Sequence, residues 1–216
     1  LTPIQLSAER LEKKLAGKLA PAEQAVVTKS VQTIVDQVDA MKRLVNEFRD
    51  YARLPAAELK PLDLNALVSD VLQLYSREGE GEHPAHVPVQ MDLDPRCPSI
   101  LGDAQQLRQV LHNLLQNAQD ATEGADVREV SVKTQWNESS RRARLIVQDS
   151  GSGFSDRILK RAFEPYVTTK AKGTGLGLAV VKKIADEHAA RVDLKNRVEN
   201  GRVLGAQVSL SFPVAA

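Results

Sequence analysis

Polar side chains recur along one face of a predicted helix in the segment LRQVLHNLLQNAQDA. Asn113, Asn117 and Asp120 are spaced i, i+4 and i+7, so they share one face. The opposite face is apolar and consists of Leu111, Leu114, Leu115 and Ala118. Amide oxygens are hard ligands that suit a Mg²⁺ ion keeping its waters and its bridge to phosphates. Taken alone, the pattern also fits a solvated helix face.

A second candidate group follows a predicted strand in the segment LIVQDSGSGF. Asp149 stands at the end of the strand, and Gly151 and Gly153 follow two residues apart. A carboxylate here can accept a hydrogen bond from an exocyclic amine, and the glycines let a flat ring lie close to the backbone. A simple turn explains the same residues when they are considered alone.

The third segment, FEPYVTTKAKGTGLGL, combines lysines and glycines directly before a predicted helix. Lys170 and Lys172 precede Gly173, Gly175 and Gly177. Backbone N–H groups at a helix start can bind phosphates, and a segment with so few apolar anchors is typical of a flexible lid. The spacing matches neither the phosphate loop GxxxxGKS/T nor the dinucleotide motif GxGxxG.

The elements that position these groups are helices and strands mixed without regular βαβ alternation. Capping signals and apolar periodicity predict helices at 63–76, 103–122, 155–162 and 176–188. Alternating apolar residues predict strands at 89–93, 129–136, 142–148, 191–198 and 206–212. This order predicts an α+β fold, a two-layer sandwich of one sheet and one layer of helices.

Two further helices are predicted upstream of this sandwich. In the longer one, apolar residues alternate in steps of four and three, a coiled-coil seam formed by Val27, Val31, Ile34, Val38, Met41, Val45, Phe48 and Ala52. A shorter segment has the same spacing at Ile4, Ala8, Leu11 and Leu15, and a break from Gly17 to Pro21 separates the two. We therefore expect an antiparallel helical hairpin.

The two helices of this hairpin differ in length, because residues 22–52 span about 46 Å as a helix and residues 2–16 only about 22 Å. Half of the long helix lacks a partner, which predicts missing residues before Leu1, self-association into a four-helix bundle, or both. Composition then shifts where Pro55 and Pro61 bracket a short polar stretch. We predict a hairpin at 1–54, a linker at 55–62 and the sandwich at 63–216.

Composition excludes several classes of function. With 42% apolar and 26% charged residues the chain is globular rather than disordered. Its 29 basic and 28 acidic residues predict no nucleic-acid partner, and the absence of a long apolar run predicts no direct membrane contact. The single cysteine, Cys97, favours a reducing, cytoplasmic compartment.

Four segments, taken in order, resemble the N, G1, F and G2 boxes of sensor histidine kinases: HNLLQNAQDA, DSGSGF, FEPYVTTK and GTGLGL. The resemblance implies a dimeric hairpin followed by an ATP-binding domain of the GHKL, or Bergerat, type. It also implies a two-component reaction, in which the γ-phosphoryl group of ATP passes to a histidine and then to an aspartate of a response-regulator receiver domain.

Roles for individual residues follow from the same resemblance, with ATP and Mg²⁺ as cofactors. Asp149 would accept a hydrogen bond from the adenine amine, and Gly151 and Gly153 would shape the adenine pocket. Asn117 would hold Mg²⁺, and Asn113 would help to position the metal and the phosphates. The segment that closes over the phosphates would contain Lys170, Lys172, Gly173, Thr174, Gly175, Leu176 and Gly177.

The first residues, LTPIQLSAERL, resemble the stretch that follows the phospho-acceptor motif HExxNP, most closely that of NtrY-type nitrogen-regulation sensors. By that pattern the acceptor histidine lies six residues before Leu1, so the chain as given is expected not to phosphorylate itself. The expected protein is a homodimer through the hairpin and the cytoplasmic portion of a membrane-anchored bacterial sensor.

Two alternatives remain open at this stage. A GHKL-type ATPase would carry a water-activating glutamate four residues before Asn117, where this chain has Asn113. A non-catalytic dimerisation scaffold would keep the hairpin without nucleotide binding. Three further residues depart from the common pattern. Asp120 replaces a basic residue, and Ala189 and Ala190 replace a glycine pair, so we expect the helix before that pair to end differently.

Overall fold

The computed structural model describes residues 1–78, 87–170 and 173–215. It divides into two compact units. The first contains residues 1–54 together with 169–174, and the second contains residues 55–168 and 175–216. Residues 169–174 therefore group with the hairpin, whereas the sequence assigned them to the sandwich.

The first unit is built on two helices, α1 (Thr2–Leu15) and α2 (Pro21–Ala52). Gly17 adopts a φ of +73° between them, and Pro21 occupies the first turn of α2, where a missing N–H costs nothing. The Lys42 Nζ donates to Gln5 Oε1 over 2.6 Å, so the start of α1 lies beside the second half of α2. Because only residues 16–20 connect the two helices, they are antiparallel. The predicted hairpin is thus present.

The apolar seam of α2 is only partly covered. Val31 and Val38 are buried, whereas Met41, Val45 and Phe48 are 46%, 57% and 50% exposed. The seam residue Ile34, nearer the middle of α2, is also 42% exposed, and Met41 is adjacent to Lys42, which contacts α1. The prediction that half of α2 lacks a partner stays a prediction.

The second unit contains a mixed sheet with helices packed against it. Its helices are α3 (Leu64–Glu78), α4 (Ala104–Ala121), α5 (Asp156–Arg161) and α6 (Gly177–Glu187). Its strands are β1 (Lys60–Leu62), β2 (Val89–Asp92), β3 (Ile100–Gly102), β4 (Val130–Asn137), β5 (Arg142–Asp149), β6 (Arg191–Glu199) and β7 (Arg202–Pro213). Five strands form one sheet in the order β2-β4-β5-β7-β6, in which only the pairing of β2 with β4 is parallel.

The core lies on one face of this sheet because buried apolar residues match in register across its strands. Val132 pairs with Val147, and Val147 with Val208, so all three share the covered face. The helices cover that face with residues that are fully or nearly fully buried: Leu67, Val68, Leu111, Leu114, Leu115, Val181 and Ile184. The predicted α+β two-layer sandwich is confirmed.

The segment predicted as a linker contributes to this unit. Residues 60–62 form β1, which pairs antiparallel with β3. Upstream of it, the Glu58 N–H donates to Asp103 Oδ2 over 3.1 Å, and Gln106 Nε2 donates to the Pro55 carbonyl over 2.8 Å. These contacts attach the segment to the first turn of α4, so it differs from an independent linker.

Asp103 connects three elements at the start of α4. Its Oδ1 accepts from the amides of Gln105 and Gln106 and caps the helix, while its own N–H donates to His188 Nε2 over 2.9 Å. Burial raises the pKa of Asp103, but hydrogen bonds from the amides of Gln106, Glu58 and Gln105 outweigh it and hold the pKa below its ordinary value.

We expect acid to destabilise the second unit partly through Asp103. A carboxylate whose pKa is lower in the folded state stabilises the fold above its unfolded pKa of about 4, and this contribution is lost as the pH falls through the folded value. Asp103→Ala should lower the free energy of unfolding by about 1 kcal/mol at pH 7. Asp103→Asn keeps a capping oxygen, so its free energy of unfolding should fall less and should depend less on pH. Urea unfolding at pH 7 and pH 3.5 measures both effects. Equal acid sensitivity in wild type and Asp103→Asn would contradict this account.

The end of α6 keeps a left-handed conformation without glycine. Ala189 has a φ of +49°, its N–H donates to Asp186 O, and the Ala190 N–H donates to Ala185 O over 2.8 Å. These two bonds define a Schellman motif. The expectation that this helix ends differently was therefore wrong, because the two backbone bonds hold Ala189 in a conformation that glycine adopts more easily.

Ala189→Gly should raise the free energy of unfolding by about 1 kcal/mol, since it removes the steric cost of a left-handed alanine. Ala66→Gly is a suitable control, because Ala66 is an exposed residue of α3 and its replacement should lower stability. Thermal or urea unfolding of both variants tests the prediction. A lower stability for Ala189→Gly would show that the motif does not strain the chain.

Candidate nucleotide-binding site

Asp149 ends β5, and its carboxylate is held by backbone amides. Asp149 is 8% exposed, and its Oδ1 accepts from the Gly151 N–H over 2.9 Å and from the Ala206 N–H over 3.1 Å. Two amide donors on one oxygen fix the orientation of the carboxylate. An acidic side chain with a set direction therefore lies at the end of the central strand, as an amine-binding group requires.

The glycine after Asp149 is needed for close packing. A Cβ at Gly151 would lie 2.3 Å from the carbonyl oxygen of Ala121, the last residue of α4. Any side chain would push the loop away from the helix. Gly151 thus brings the loop that follows β5 against the end of α4.

Gly153, the second glycine of this loop, is required by both its backbone conformation and its close neighbours. It has a φ of +75°, and a Cβ there would lie 2.6 Å from Val203 Cγ1 and 2.8 Å from Asn196 Oδ1. The two glycines are therefore explained first by contacts with neighbouring elements. Their predicted role in shaping an adenine pocket stays a prediction.

The polar face of α4 is half-buried and lies beside the start of α6. Asn113, Asn117 and Asp120 are each partly exposed, while the four apolar residues predicted for the opposite face are buried. The position of a Cβ on Gly177, the first residue of α6, is 3.7 Å from Asn117 Nδ2. The N-box asparagine and the glycine-rich helix start, 60 positions apart in sequence, thus adjoin.

This donor set fits a magnesium ion that is held mainly by phosphates. Among the described residues there is no group of three histidine, cysteine or acidic side chains placed to hold a metal. The amide oxygen of Asn117, which lies beside the start of α6, is a hard ligand that suits Mg²⁺, since this ion takes few protein ligands and keeps several waters. Two other polar residues of α4 have partners within the protein. Asp120 accepts a hydrogen bond from Gln116 Nε2 over 2.7 Å, and His112 Nδ1 lies 2.8 Å from the Tyr75 hydroxyl.

The approach to α6 is shaped by Gly175. Gly175 has a φ of +73°, and a Cβ there would lie 2.6 Å from the carbonyl carbon of Tyr166. The Tyr166 N–H donates to the Gly175 carbonyl over 3.1 Å. Leu176 is fully buried and anchors the first turn of α6, which begins without a side-chain cap.

The other residues predicted to close over the phosphates are not placed in the second unit. Lys170, Gly173 and Thr174 belong to the first unit. Lys172 lies outside the described residues. The structure therefore brings together Asn113, Asn117 and Gly177 on one side and Asp149 and Gly151 on the other, within the second unit.

Three residues around Asp149 were not predicted from the sequence. Arg197 Nη1 donates to the Asp149 carbonyl over 2.9 Å, and Asn196 bonds the backbone of Phe154. At Gly205 a Cβ would lie 1.9 Å from the Asp149 carbonyl oxygen. Only Gly205 carries a local signal, because a glycine beside a strand pattern indicates close backbone approach. The other two depend on pairing between strands distant in sequence.

Three features define the architecture of a GHKL-type nucleotide-binding domain. They are a mixed sheet covered by helices on one face, an oriented acidic side chain at the end of the central strand, and a glycine-rich start of α6. Residues 102–216 match the family of histidine kinase-, DNA gyrase B-, and HSP90-like ATPases. The chain belongs to this family.

Relatives extend the match beyond the sandwich to the hairpin. Nitrogen regulation protein NtrY of Azorhizobium caulinodans is 36% identical over 98% of this chain, which corresponds to 27% of that protein. An NtrY-like sensor histidine kinase of Rickettsia bellii is 33% identical over 97% of this chain and 33% of its own length. These matches confirm the predicted resemblance, and the chain spans about a third of the length of the curated relatives it matches.

A solved structure supports the fold. The crystal structure of full-length ShkA in complex with AMPPNP is 27% identical, has a TM-score of 0.66, and covers all of this chain and 44% of that one. In the described part of the present chain, no helix is long and apolar enough to cross a bilayer.

Proposed function

We propose that the chain is the ATP-binding catalytic core of a two-component sensor histidine kinase. The observation that carries this proposal is the oriented, buried carboxylate of Asp149 in a domain that belongs to the kinase and gyrase ATPase family. ATP as ligand is further supported by the ATP analogue bound to the related ShkA.

In this proposal Gly151 and Gly153 shape the adenine pocket, and the other predicted site residues have the following roles. Asp149 accepts a hydrogen bond from the adenine amine, and Asn113 and Asn117 orient the phosphates with Mg²⁺. Gly175, Leu176 and Gly177 lead into α6 and bring the N–H groups of its first turn to the phosphates, where the helix dipole favours negative charge. The further lid residues are Lys170, Lys172, Gly173 and Thr174.

The proposed reaction breaks the bond between the γ-phosphorus of ATP and its bridging oxygen and forms a bond from that phosphorus to an imidazole nitrogen. ADP leaves, and the imidazole loses a proton. Asn117, with help from Asn113, would hold Mg²⁺, which would supply positive charge that neutralises charge developing on the phosphates. The protein contributes mainly by positioning, because reacting atoms must lie about 3 to 3.5 Å apart and in line. A receiver-domain aspartate then takes the phosphoryl group.

The hairpin supplies the proposed dimer interface. Residues Met41, Val45 and Phe48 follow the seam spacing of α2 and are about half exposed, so a second hairpin can cover them. Homodimerisation also brings an acceptor histidine and an ATP-binding domain into one assembly. We place that acceptor, as the HExxNP pattern suggests, in a segment upstream of Leu1 of a membrane-anchored sensor whose cytoplasmic portion includes this chain.

A hydrolytic ATPase is the second candidate, since the matched family includes gyrase and HSP90. Asn113 argues against a hydrolytic ATPase, because it stands where such an enzyme carries a glutamate and an amide cannot act as the general base that activates water. The scaffold alternative predicts no nucleotide binding at all, so one titration separates it from both enzymes.

Calorimetric titration of the chain with a non-hydrolysable ATP analogue tests the proposal. We expect one site per chain, tighter binding with Mg²⁺ than with excess EDTA, and weaker binding of the matching GTP analogue. The Asn117→Ala variant should lose most of the Mg²⁺ dependence while keeping its fold. Absence of binding by the folded wild type would favour the scaffold.

Residues 168–174 should become protected from hydrogen exchange when phosphates bind. The segment carries few apolar side chains, so its ordering depends on the ligand. Exchange measured with and without a Mg²⁺-bound ATP analogue checks this, with residues 142–146 of β5, at the other end of the strand from Asp149, as an internal control that should not change. Equal protection of 168–174 in both states would count against a phosphate lid.

A further inference from the structure

The loop at residues 149–154 must hold its shape if Asp149 is to meet an adenine amine. Its first half is fixed from one side. The Ser150 N–H donates to the Glu129 carbonyl over 3.0 Å, and Ser150 Oγ donates to the Val127 carbonyl over 2.7 Å. These bonds attach the beginning of the loop to the residues just before β4. The end of the loop, at Phe154, is held by a different element.

The far end is held by one side chain of β6. Asn196 Oδ1 accepts from the Phe154 N–H over 2.7 Å, and Asn196 Nδ2 donates to the Phe154 carbonyl over 2.8 Å. An amide that bonds both polar groups of one residue fixes that residue in position and direction. Gly153 makes this approach possible, since a Cβ there would lie 2.8 Å from Asn196 Oδ1.

The next residue of β6 reaches the beginning of the same loop. Arg197 is directly opposite Gly205 of β7 in the register of the sheet, and its Nη1 donates to the Asp149 carbonyl over 2.9 Å. Gly205 has no side chain, and even a Cβ at this position would collide with the backbone carbonyl oxygen of Asp149. The register shifts immediately after Arg197, so regular pairing ends where the contact is made.

Both contacts also converge on Asp149 through β7. Asn196 is opposite Ala206, and the Ala206 N–H donates to the Asp149 carboxylate. Two successive residues of an edge strand thus bind the first and last residues of the loop. Of their partners on β7, Ala206 bonds the Asp149 carboxylate and Gly205 lies against the Asp149 backbone carbonyl.

We propose that Asn196 and Arg197, together the β6 clamp, are positioning residues that set the adenine selectivity of the site by fixing the 149–154 loop around Asp149. The clamp touches the loop rather than the nucleotide. This inference rests on the proposed function, and it adds that selectivity for the 6-amino group depends on a strand outside the four sequence boxes.

The experiment measures selectivity rather than affinity alone. Calorimetry compares Mg²⁺-ADP with the diphosphate of purine riboside, which lacks the 6-amino group. In the wild type we expect ADP to bind about 10-fold tighter or more, within the range of about 5- to 150-fold expected for an unmatched buried acceptor. In Asn196→Ala the ratio should fall to about 3-fold or less, and in Arg197→Met it should fall partway.

Two further variants make the result specific. Asp193→Ala, an exposed position on the same strand, is the control and should keep the wild-type ratio. Asn196→Asp keeps the acceptor for the Phe154 N–H but repels its carbonyl, so its ratio should fall as in Asn196→Ala. A general loss of stability would lower both affinities and leave the ratio unchanged.

The outcomes separate the clamp from the proposed function. An unchanged ratio in folded Asn196→Ala, or in Asn196→Asp and Arg197→Met if the alanine variant does not fold, overturns the clamp. If instead the wild type shows no preference, or Asp149→Asn retains it, the adenine assignment itself fails and the clamp fails with it.

Discussion

Asp149→Asn is expected to weaken the binding of adenine nucleotides by about 5- to 150-fold, the largest effect we predict for a single side chain. Asparagine keeps an oxygen that can accept the Gly151 and Ala206 amides, so the loop should stay folded. It replaces the other carboxylate oxygen with an N–H₂ group, which cannot accept a bond from the adenine amine. The affinity loss therefore reports recognition rather than unfolding.

Calorimetry with Mg²⁺-ADP measures this effect, with circular dichroism to show that the fold is retained. Asp193→Asn makes the same chemical change at an exposed position of β6 and should bind as the wild type does. Wild-type affinity in folded Asp149→Asn would remove the adenine assignment.

The chain as given should bind ATP and yet acquire no acid-labile phosphate. Its hairpin, residues 1–52, contains no histidine. His188 is 1% exposed, with Nε2 accepting from the Asp103 amide and Nδ1 placed 2.8 Å from the Ile184 carbonyl, so its ring nitrogens are engaged. His112 lies on α4 beside Tyr75, and His83 and His86 fall outside the described residues.

Incubation with ATP labelled at the γ-phosphate tests this prediction. A longer version that includes an upstream HExxNP segment should become labelled, and its label should be lost in acid. Replacing the histidine of that motif by glutamine is the matched control and should remove the label. Acid-labile phosphate on the 216-residue chain would contradict the assignment of the acceptor to the hairpin. A longer version that binds ATP but stays unlabelled would contradict the assignment of histidine kinase activity.

Elements with strong periodicity were predictable from the sequence. The helices α2, α4 and α6 begin and end within about two residues of their predicted bounds, because seam spacing, an Asp103 cap and a glycine-rich start mark them locally. The strands β1 and β3 were missed. Each has three residues and includes a proline or a glycine, so neither offers an alternating pattern.

The site was predictable where its residues share a short segment. The spacing of Asn113 and Asn117 gives their common face, and Asp149 follows a recognisable strand. The contacts that orient Asp149 were not predictable, since Asn196 and Arg197 reach the loop from 42 and 48 positions away. Such contacts follow from strand order and register, which local patterns do not determine.

A crystal structure of the chain with a Mg²⁺-bound ATP analogue would show directly whether the 149–154 loop and the polar face of α4 form an ATP site. We expect the adenine 6-amino group within about 3 Å of the Asp149 carboxylate. We also expect Mg²⁺ bound to the Asn117 amide oxygen, with the phosphates beside Gly175 and Gly177. A nucleotide bound elsewhere on the chain, or adenine without a contact to Asp149, would contradict this assignment of the site.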